Sequence, residues 1–171
     1  MGYTHYWYRH DHMGASDHTL ARAHEAYDLL AEDVKHLCLI VGELPDTIWL
    51  ADAGGEGYPE FHDDYFAYNG TYVNDQWHES FVWDKNVIVP EWQQGKGFDY
   101  KKKGVFFCCK TARKPYDTVV VATLLRASHY YGDTISIASD GTWEEWGNGR
   151  DLYESAFGTA PVCPSSFYTT E

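Results

Sequence analysis

The basic segment over residues 109–117 carries the clearest chemical signal in the sequence. It spells Cys-Lys-Thr-Ala-Arg-Lys-Pro-Tyr-Asp, and three of the chain's thirteen lysines and arginines, Lys110, Arg113 and Lys114, fall within five residues of it. It lies between a predicted strand and the start of a predicted helix, where free backbone N–H groups and the helix dipole favour an anion. We therefore expect a phosphate or carboxylate site; the alternative is pairing of these cations with nearby carboxylates.

A second candidate is the aromatic run Tyr-Thr-His-Tyr-Trp-Tyr over residues 3–8. Alternate side chains of a strand line the same face. Tyr6 or Trp7 could then stack on a base while His5 donates to a phosphate or a ribose hydroxyl. The alternative is an aromatic core strand in which a neighbour satisfies His5.

The sequence lacks the common motifs of catalysis. It contains no Gly-x-Ser-x-Gly, no Walker motif, no Gly-x-Gly-x-x-Gly and no His-Glu-x-x-His. Residues 10–12 and 62–64 contain metal-ligand types without a diagnostic spacing, so we expect neither a metal site nor a cofactor. Hydrolysis stays open, because acid–base pairs need only spatial proximity. Its candidate residues are His5, His78, Glu79 and Asp140.

Composition limits the class of protein. The chain has 171 residues, of which 44% are apolar and 17% aromatic, which predicts one folded domain with a sizeable core. The formal charge of −13 repels nucleic-acid phosphates and argues against a protein that coats DNA. Four cysteines without a Cys-x-x-Cys pair, and no signal-peptide or membrane-spanning pattern, predict a cytoplasmic protein with reduced thiols.

Four segments together resemble those of a family of small proteins encoded by phages and some bacteria. They are Gly-Tyr-Thr-His-Tyr-Trp at 2–7, His-Glu-Ser-Phe at 78–81, Lys-Thr-Ala-Arg-Lys-Pro-Tyr-Asp at 110–117 and Ser-Asp-Gly at 139–141. The basic segment is the most specific of them. Small phage proteins without catalytic motifs often counter host immunity, and one class sequesters nucleotide signals. By analogy, the resemblance implies an anti-defence protein of the host cytosol.

These observations predict a protein that binds and sequesters a nucleotide-derived immune signal, a cyclic oligonucleotide or an ADP-ribose derivative, without cleaving it. The expected ligand-binding residues are His5, Tyr6, Trp7, His78, Lys110, Arg113, Lys114 and Asp140. A phosphodiesterase that degrades the same nucleotide is one alternative. An acidic protein-interaction module or nucleic-acid mimic is the other. A homo-oligomer is compatible with sequestration.

Hydrophobic periodicity predicts the elements that position these residues in the first half of the chain. A strand is expected over residues 3–8. A helix capped by Ser16 then continues to about Gly42, with apolar residues every three or four positions. Strands near 47–50, 65–68 and 77–83 follow, and the last two are predicted to form a hairpin that turns at Asn69-Gly70.

The second half predicts a central strand at 105–109, a helix over 116–131 and a strand over 134–138. A capping-box pattern at Thr142 and Glu145 opens a helical stretch toward Phe157, which the glycines at 147 and 149 could interrupt. Residues 158–171 are expected to form an irregular tail. The predicted class is α+β: a single domain over residues 1–171, with an antiparallel or mixed sheet and about three helices packed on it.

Overall fold

A computed structural model of the protein describes residues 2–44, 47–95 and 97–170, so Met1 and Glu171, the ends of the predicted domain, lie outside it. The strands are β1 (Thr4–Arg9), β2 (Leu50–Ala51), β3 (Glu60–Phe61), β4 (Tyr65–Gly70), β5 (Phe81–Asp84), β6 (Val105–Lys110), β7 (Ile135–Ser139) and β8 (Tyr168–Thr169). The helices are α1 (Asp17–Glu43), α2 (Tyr100–Lys103), α3 (Asp117–Tyr131) and α4 (Gly147–Phe157), with 3-10 turns at Glu91–Gln93 and Gly132–Thr134. The predicted α+β class is confirmed.

Sheet 1 has the strand order β6-β1-β7-β8, with β1 antiparallel to both of its neighbours and β8 parallel to β7. Side chains of β1 alternate between a buried face and a half-buried face, as a period of two requires. The prediction that β6 is central is wrong, because β6 forms an edge. The buried Gln93 amide covers that edge by donating to the carbonyl of Phe106 and accepting from its N–H, both at 2.8 Å.

Sheet 2 is built around β4, which pairs antiparallel with β2, β3 and β5. The β4–β5 hairpin is confirmed, but its predicted turn at Asn69-Gly70 is wrong, because both residues lie inside β4. Asn69 is buried, and its side-chain amide bonds the backbone of His78. Gly70 is required for space: a Cβ there would lie 2.0 Å from the carbonyl oxygen of Gln76.

The three long helices α1, α3 and α4 pack against one another and enclose the core with the buried faces of both sheets. The Ser16 cap of α1 is confirmed, since its hydroxyl accepts from the N–H of Thr19 at 3.2 Å. Gly149 lets α4 approach α3 closely, because a Cβ there would lie 2.3 Å from a methyl carbon of Val121. The mostly apolar helix α3 packs against α1, α4 and β7.

The C-terminal third departs from prediction at two points. Thr142 and Glu145 form the reciprocal capping-box hydrogen bonds, yet α4 begins only at Gly147, after a separate turn. The tail is not wholly irregular, because Tyr168–Thr169 adds β8 to sheet 1 alongside β7. Backbone pairing with a distant strand leaves no pattern in so short a segment.

Candidate functional site

One end of sheet 1, where β1 begins and β6 and β7 end, collects most of the residues predicted to bind a ligand. His5 lies on β1, Lys110 ends β6, and Asp140 directly follows β7. Arg113 and Lys114 lie in the loop that joins β6 to α3. His78 joins the same end, since its Nδ1 bonds the carbonyl oxygen of Lys110 at 2.7 Å.

Within this end, His5 connects Ser139 and Asp117 through hydrogen bonds. Its Nδ1 lies 2.9 Å from the Ser139 hydroxyl, and its Nε2 lies 2.7 Å from an oxygen of Asp117. The Ser139 oxygen already accepts from the N–H of Gly141 and from the indole of Trp146. It therefore donates its own proton to His5, which requires the neutral tautomer with the proton on Nε2, donating to Asp117.

This Ser–His–Asp chain has the composition of a hydrolase triad but not the access that hydrolysis needs. Both Ser139 and His5 are completely buried, and the Ser139 hydroxyl has no free position for a substrate. Burial raises the pKa of both nearby thiols, Cys108 and Cys109, which disfavours the thiolate that acts as a nucleophile. In this conformation the chain of hydrogen bonds ties β1, β7 and α3 together.

The cations of the β6–α3 loop have carboxylate partners. Arg113 pairs with Glu145 at 2.7 Å, and Lys114 pairs with Asp75 at 3.0 Å. The guanidinium of Arg113 also lies 3.9 Å from the ring centre of Tyr3. An incoming phosphate would have to compete with these two carboxylates.

The backbone of the same loop is also engaged. The N–H groups of Thr111 and Ala112 both donate to the carbonyl oxygen of Tyr3, at 3.0 and 3.1 Å. Ala112 and Arg113 adopt positive φ angles of 50° and 58°, which non-glycine residues rarely do. Asp117 supplies the negative charge that the start of α3 favours. The loop is thus organised around contacts within the chain.

The outer face of sheet 1 is turned away from the three long helices and carries a different set of side chains. Register places Tyr6 between Cys108 and Ala138, and Tyr8 between Phe106 and Ser136. Beyond Ala138, the exposed Tyr168 of β8 extends the surface. Lys110 and Asp140 lie at the end of this face where β1 begins.

Rings on the outer face contact one another across strands. Tyr6 and Phe106 stack with centroids 6.1 Å apart and planes at 28°, and Tyr8 lies 5.3 Å from Phe106. Trp92, from the 3-10 turn beside β6, stands nearly perpendicular to Phe106 at 6.3 Å. The outer face therefore carries a cluster of aromatic rings, in which Trp92 stands nearly perpendicular to Phe106 at the edge strand β6.

Strand alternation separates the two residues predicted to stack on a base. Tyr6 lies half-buried on the outer face. Trp7 lies on the opposite face, 2% exposed, packed between Trp83 and Phe107 in the core. Of these two residues, Tyr6 alone is accessible to a ligand, and the prediction that Trp7 stacks on a base is wrong. The same burial removes His5 from ligand contact.

Asp140 receives several hydrogen bonds at the end of the outer face. Thr170 donates to one carboxylate oxygen at 2.7 Å and Tyr6 to the same oxygen at 3.1 Å, while the N–H of Thr4 donates to the other at 2.9 Å. Partial burial opposes ionisation, but these donors outweigh it and hold the pKa of Asp140 below its ordinary value of 3.8.

Replacing Asp140 with asparagine should therefore give a pH-dependent loss of stability. The unfolded chain binds the proton first, so the carboxylate's contribution is full above about pH 5 and is lost as pH falls through the folded-state pKa. The difference in free energy of unfolding between wild type and Asp140→Asn, measured by urea denaturation, should be largest near neutrality and shrink below pH 3.8. A difference that does not vary with pH would contradict this account.

His78 and Glu79 do not form an acid–base pair with His5. Besides the bond from His78 to the Lys110 carbonyl, a carboxylate oxygen of Glu79 accepts from the N–H of Lys110 at 2.7 Å. Both residues thus bind the last residue of β6 from the segment before β5. The fourth catalytic candidate, Asp140, lies on the outer face of sheet 1, whereas His5 lies on the inner face.

Tyr8, Phe106, Trp92 and Tyr168 belong to the outer face but were not predicted as site residues. Alternation along the aromatic run could have placed Tyr8 with Tyr6, since they are two residues apart. The others depend on which strands become neighbours. Their places on this face follow from pairings between separate segments, such as Tyr8 with Phe106 and Ala138 with Tyr168.

No family model, curated protein or solved structure matches this chain. Within residues 2–44, 47–95 and 97–170, no His, Cys, Asp and Glu side chains form a group of three that could hold a metal ion. Over the same residues, none of the helices has the length and apolarity to span a bilayer.

Proposed function

We propose that the protein binds a nucleotide-derived molecule on the outer face of sheet 1 and retains it without cleavage. One observation carries the proposal: an aromatic sheet face, left uncovered by the long helices, ends at a lysine and an ionised aspartate. This pairing of stacking surface and polar end matches the two halves of a nucleotide. The resemblance to phage-encoded proteins extends the proposal to sequestration of a host immune signal.

Stacking would supply most of the affinity. Tyr6 and Phe106, on adjacent strands, present nearly parallel rings, and each base stacked on an aromatic side chain contributes about 1–3 kcal/mol. Trp92 rises beside them and would contact the edge of a stacked base. Stacking tolerates different bases, so identity must be set elsewhere.

The polar end would bind the sugar and phosphate. Lys110 lies on the outer face opposite Thr4, where its ammonium group suits a phosphate. The carboxylate of Asp140, ionised at neutral pH, can accept from a ribose hydroxyl or a base amino group. Arg113 lies over the ring of Tyr3, which contacts His5 on the inner side, and it pairs with Glu145, so the proposed phosphate contact is assigned to Lys110. The charge of −13 favours a small ligand over a long polyanion.

The arrangement of the potential catalytic groups supports binding without cleavage. The Ser139 and His5 pair lies on the inner face, out of contact with a ligand on the outer face. The phosphodiesterase alternative would rely on the groups of the outer face: Asp140, whose carboxylate already accepts from Thr4, Tyr6 and Thr170, and Cys108, whose thiol has a raised pKa. Product analysis distinguishes the two functions directly.

The test is to incubate purified protein with a panel of cyclic oligonucleotides and ADP-ribose derivatives, remove unbound ligand, release the remainder by heat and identify it by mass spectrometry. An intact nucleotide is the expected result. Tyr6→Ala should weaken its binding about tenfold to a hundredfold, as the stacking energy implies, whereas Tyr6→Phe, which keeps the ring, should stay close to wild type.

Tyr58→Ala is the matched control, because Tyr58 is exposed but lies on sheet 2's side of the molecule, next to β3. Equal binding by Tyr6→Ala and wild type would refute the proposed surface. A cleaved product would assign hydrolysis instead, and no retained nucleotide across the panel would refute nucleotide binding.

A further inference from the structure

A large apolar groove lies between the C-terminal half of α1 and the strands β2 and β3 of sheet 2. Its volume is about 1150 Å³, and it is lined by Lys35, Cys38, Leu39, Gly42, Glu43, Leu44, Ile48, Trp49, Leu50, Gly57, Tyr58, Pro59, Phe61 and Thr71. Leu39 is 67% exposed, Trp49 48% and Tyr58 86%. Contiguous apolar surface of this kind is uncommon on monomeric proteins and marks an interaction site.

The charges in the groove have a self-complementary arrangement. Among the lining residues that the structure describes, Lys35 and Glu43 are the charged ones, and they lie four positions before and four positions after Leu39 on α1. Positions i, i+4 and i+8 share one face of a helix. Leu39 is therefore an apolar centre with a positive charge toward one end of the helix and a negative charge toward the other.

We propose that this groove is the interface with a second copy of the chain, in which two α1 helices pack antiparallel and cross at Leu39. A twofold axis there would bring Lys35 against the partner's Glu43, and Glu43 against the partner's Lys35. Such reciprocity is what an isologous interface requires. The symmetric charges are the reason to favour a second copy over an unrelated partner.

The net negative charge of the chain also favours the groove as the contact between two copies. Two copies that each carry a formal charge of −13 repel one another over most of their surface, whereas the lining of the groove has balanced charge. Lys35 contacts Glu32 within its own helix, but both side chains are well exposed. Such a pair contributes at most about 1 kcal/mol, so Lys35 can exchange it for the partner's Glu43.

The test measures molar mass in solution by sedimentation equilibrium, at protein concentrations up to about 100 µM, a range that includes weak dimers. The expected result is a dimer for the wild type and a monomer for Leu39→Glu. Leu29→Glu is the matched control, because Leu29 is also exposed on α1 but does not line the groove. This variant should stay dimeric.

A charge exchange tests the proposed geometry. Lys35→Glu should weaken the dimer about tenfold by placing two carboxylates together, and adding Glu43→Lys should restore it, since reversed pairs again match. A wild type that is monomeric throughout, including one that binds a small apolar dye in the groove, would overturn the proposal. Dimers unaffected by Leu39→Glu, or not rescued by the double exchange, would also overturn it.

Discussion

Replacing Asp11 with alanine should lower the free energy of unfolding by about 3–5 kcal/mol, the usual cost of removing one partner from a buried ion pair. In a chain of this size that corresponds to a melting temperature roughly 10 °C lower. Arg9 and Asp11 are both buried, and the carboxylate binds Nε of Arg9 at 3.0 Å and a terminal nitrogen of the same guanidinium.

The surroundings of Arg9 explain the size of this effect. Its guanidinium lies between the rings of Trp83 and Tyr131, 4.7 and 4.9 Å from their centres, and donates to the carbonyl oxygen of Asp84. These contacts orient the cation but do not neutralise it. Without Asp11, a positive charge would remain in the core, where solvation is poor.

An exposed ion pair provides the control for Asp11→Ala. Lys85 and Asp28 approach to 2.6 Å with the carboxylate open to solvent, so Asp28→Ala should cost less than about 1 kcal/mol. Thermal and urea unfolding of both variants would give the comparison. Equal losses for Asp11→Ala and Asp28→Ala would show that the buried pair does not have the role assigned here.

Replacing His5 with phenylalanine should lower the free energy of unfolding by about 2–4 kcal/mol, although the ring volume is nearly conserved. The change removes one hydrogen bond to a carboxylate and leaves the buried Ser139 hydroxyl without an acceptor. The contacts of the His5 ring with Tyr3 and Trp146 would be largely kept. The loss therefore measures the hydrogen bonds and not the packing.

Two serines of β7 provide the control for His5→Phe. Ser139→Ala should cost about 1–3 kcal/mol, whereas Ser136→Ala, on the outer face of the same strand, should cost less than about 0.5 kcal/mol. Combining His5→Phe with Ser139→Ala should cost less than the sum of the two, because both remove the same bond. Additive losses would contradict the assigned connection between these residues.

Local patterns in the sequence were sufficient to predict the elements with strong periodicity. The helix α1 was predicted from its Ser16 cap and its apolar stripe, and β1 and β7 from their alternation, because caps and periodicity involve residues within a few positions. The α+β class followed from the order of these elements. The ligand-binding roles expected of Lys110, Arg113, Lys114 and Asp140 stay a prediction.

Pairing between distant segments decided what local pattern could not. Alternation in β1 required Tyr6 and Trp7 to face opposite sides, but only packing against β5 and α3 determined that Trp7 is the buried one. Likewise, β6 is an edge strand because β1 is its one partner in the described sheet, while the Gln93 side chain binds the backbone of Phe106. Both outcomes depend on contacts between residues far apart in the chain.

Local patterns thus predict the long helices α1, α3 and α4, most of the strands and the concentration of cations after β6, but not the short helix α2. The tertiary structure decided which of these cations are paired, since Glu145 and Asp75 reach Arg113 and Lys114 from 32 and 39 residues away. It also decided that His5 is enclosed and that Tyr6, Phe106 and Trp92 meet on an open face. The physical reason is that burial and charge pairing depend on proximity in space, whereas periodicity and capping depend on proximity along the chain.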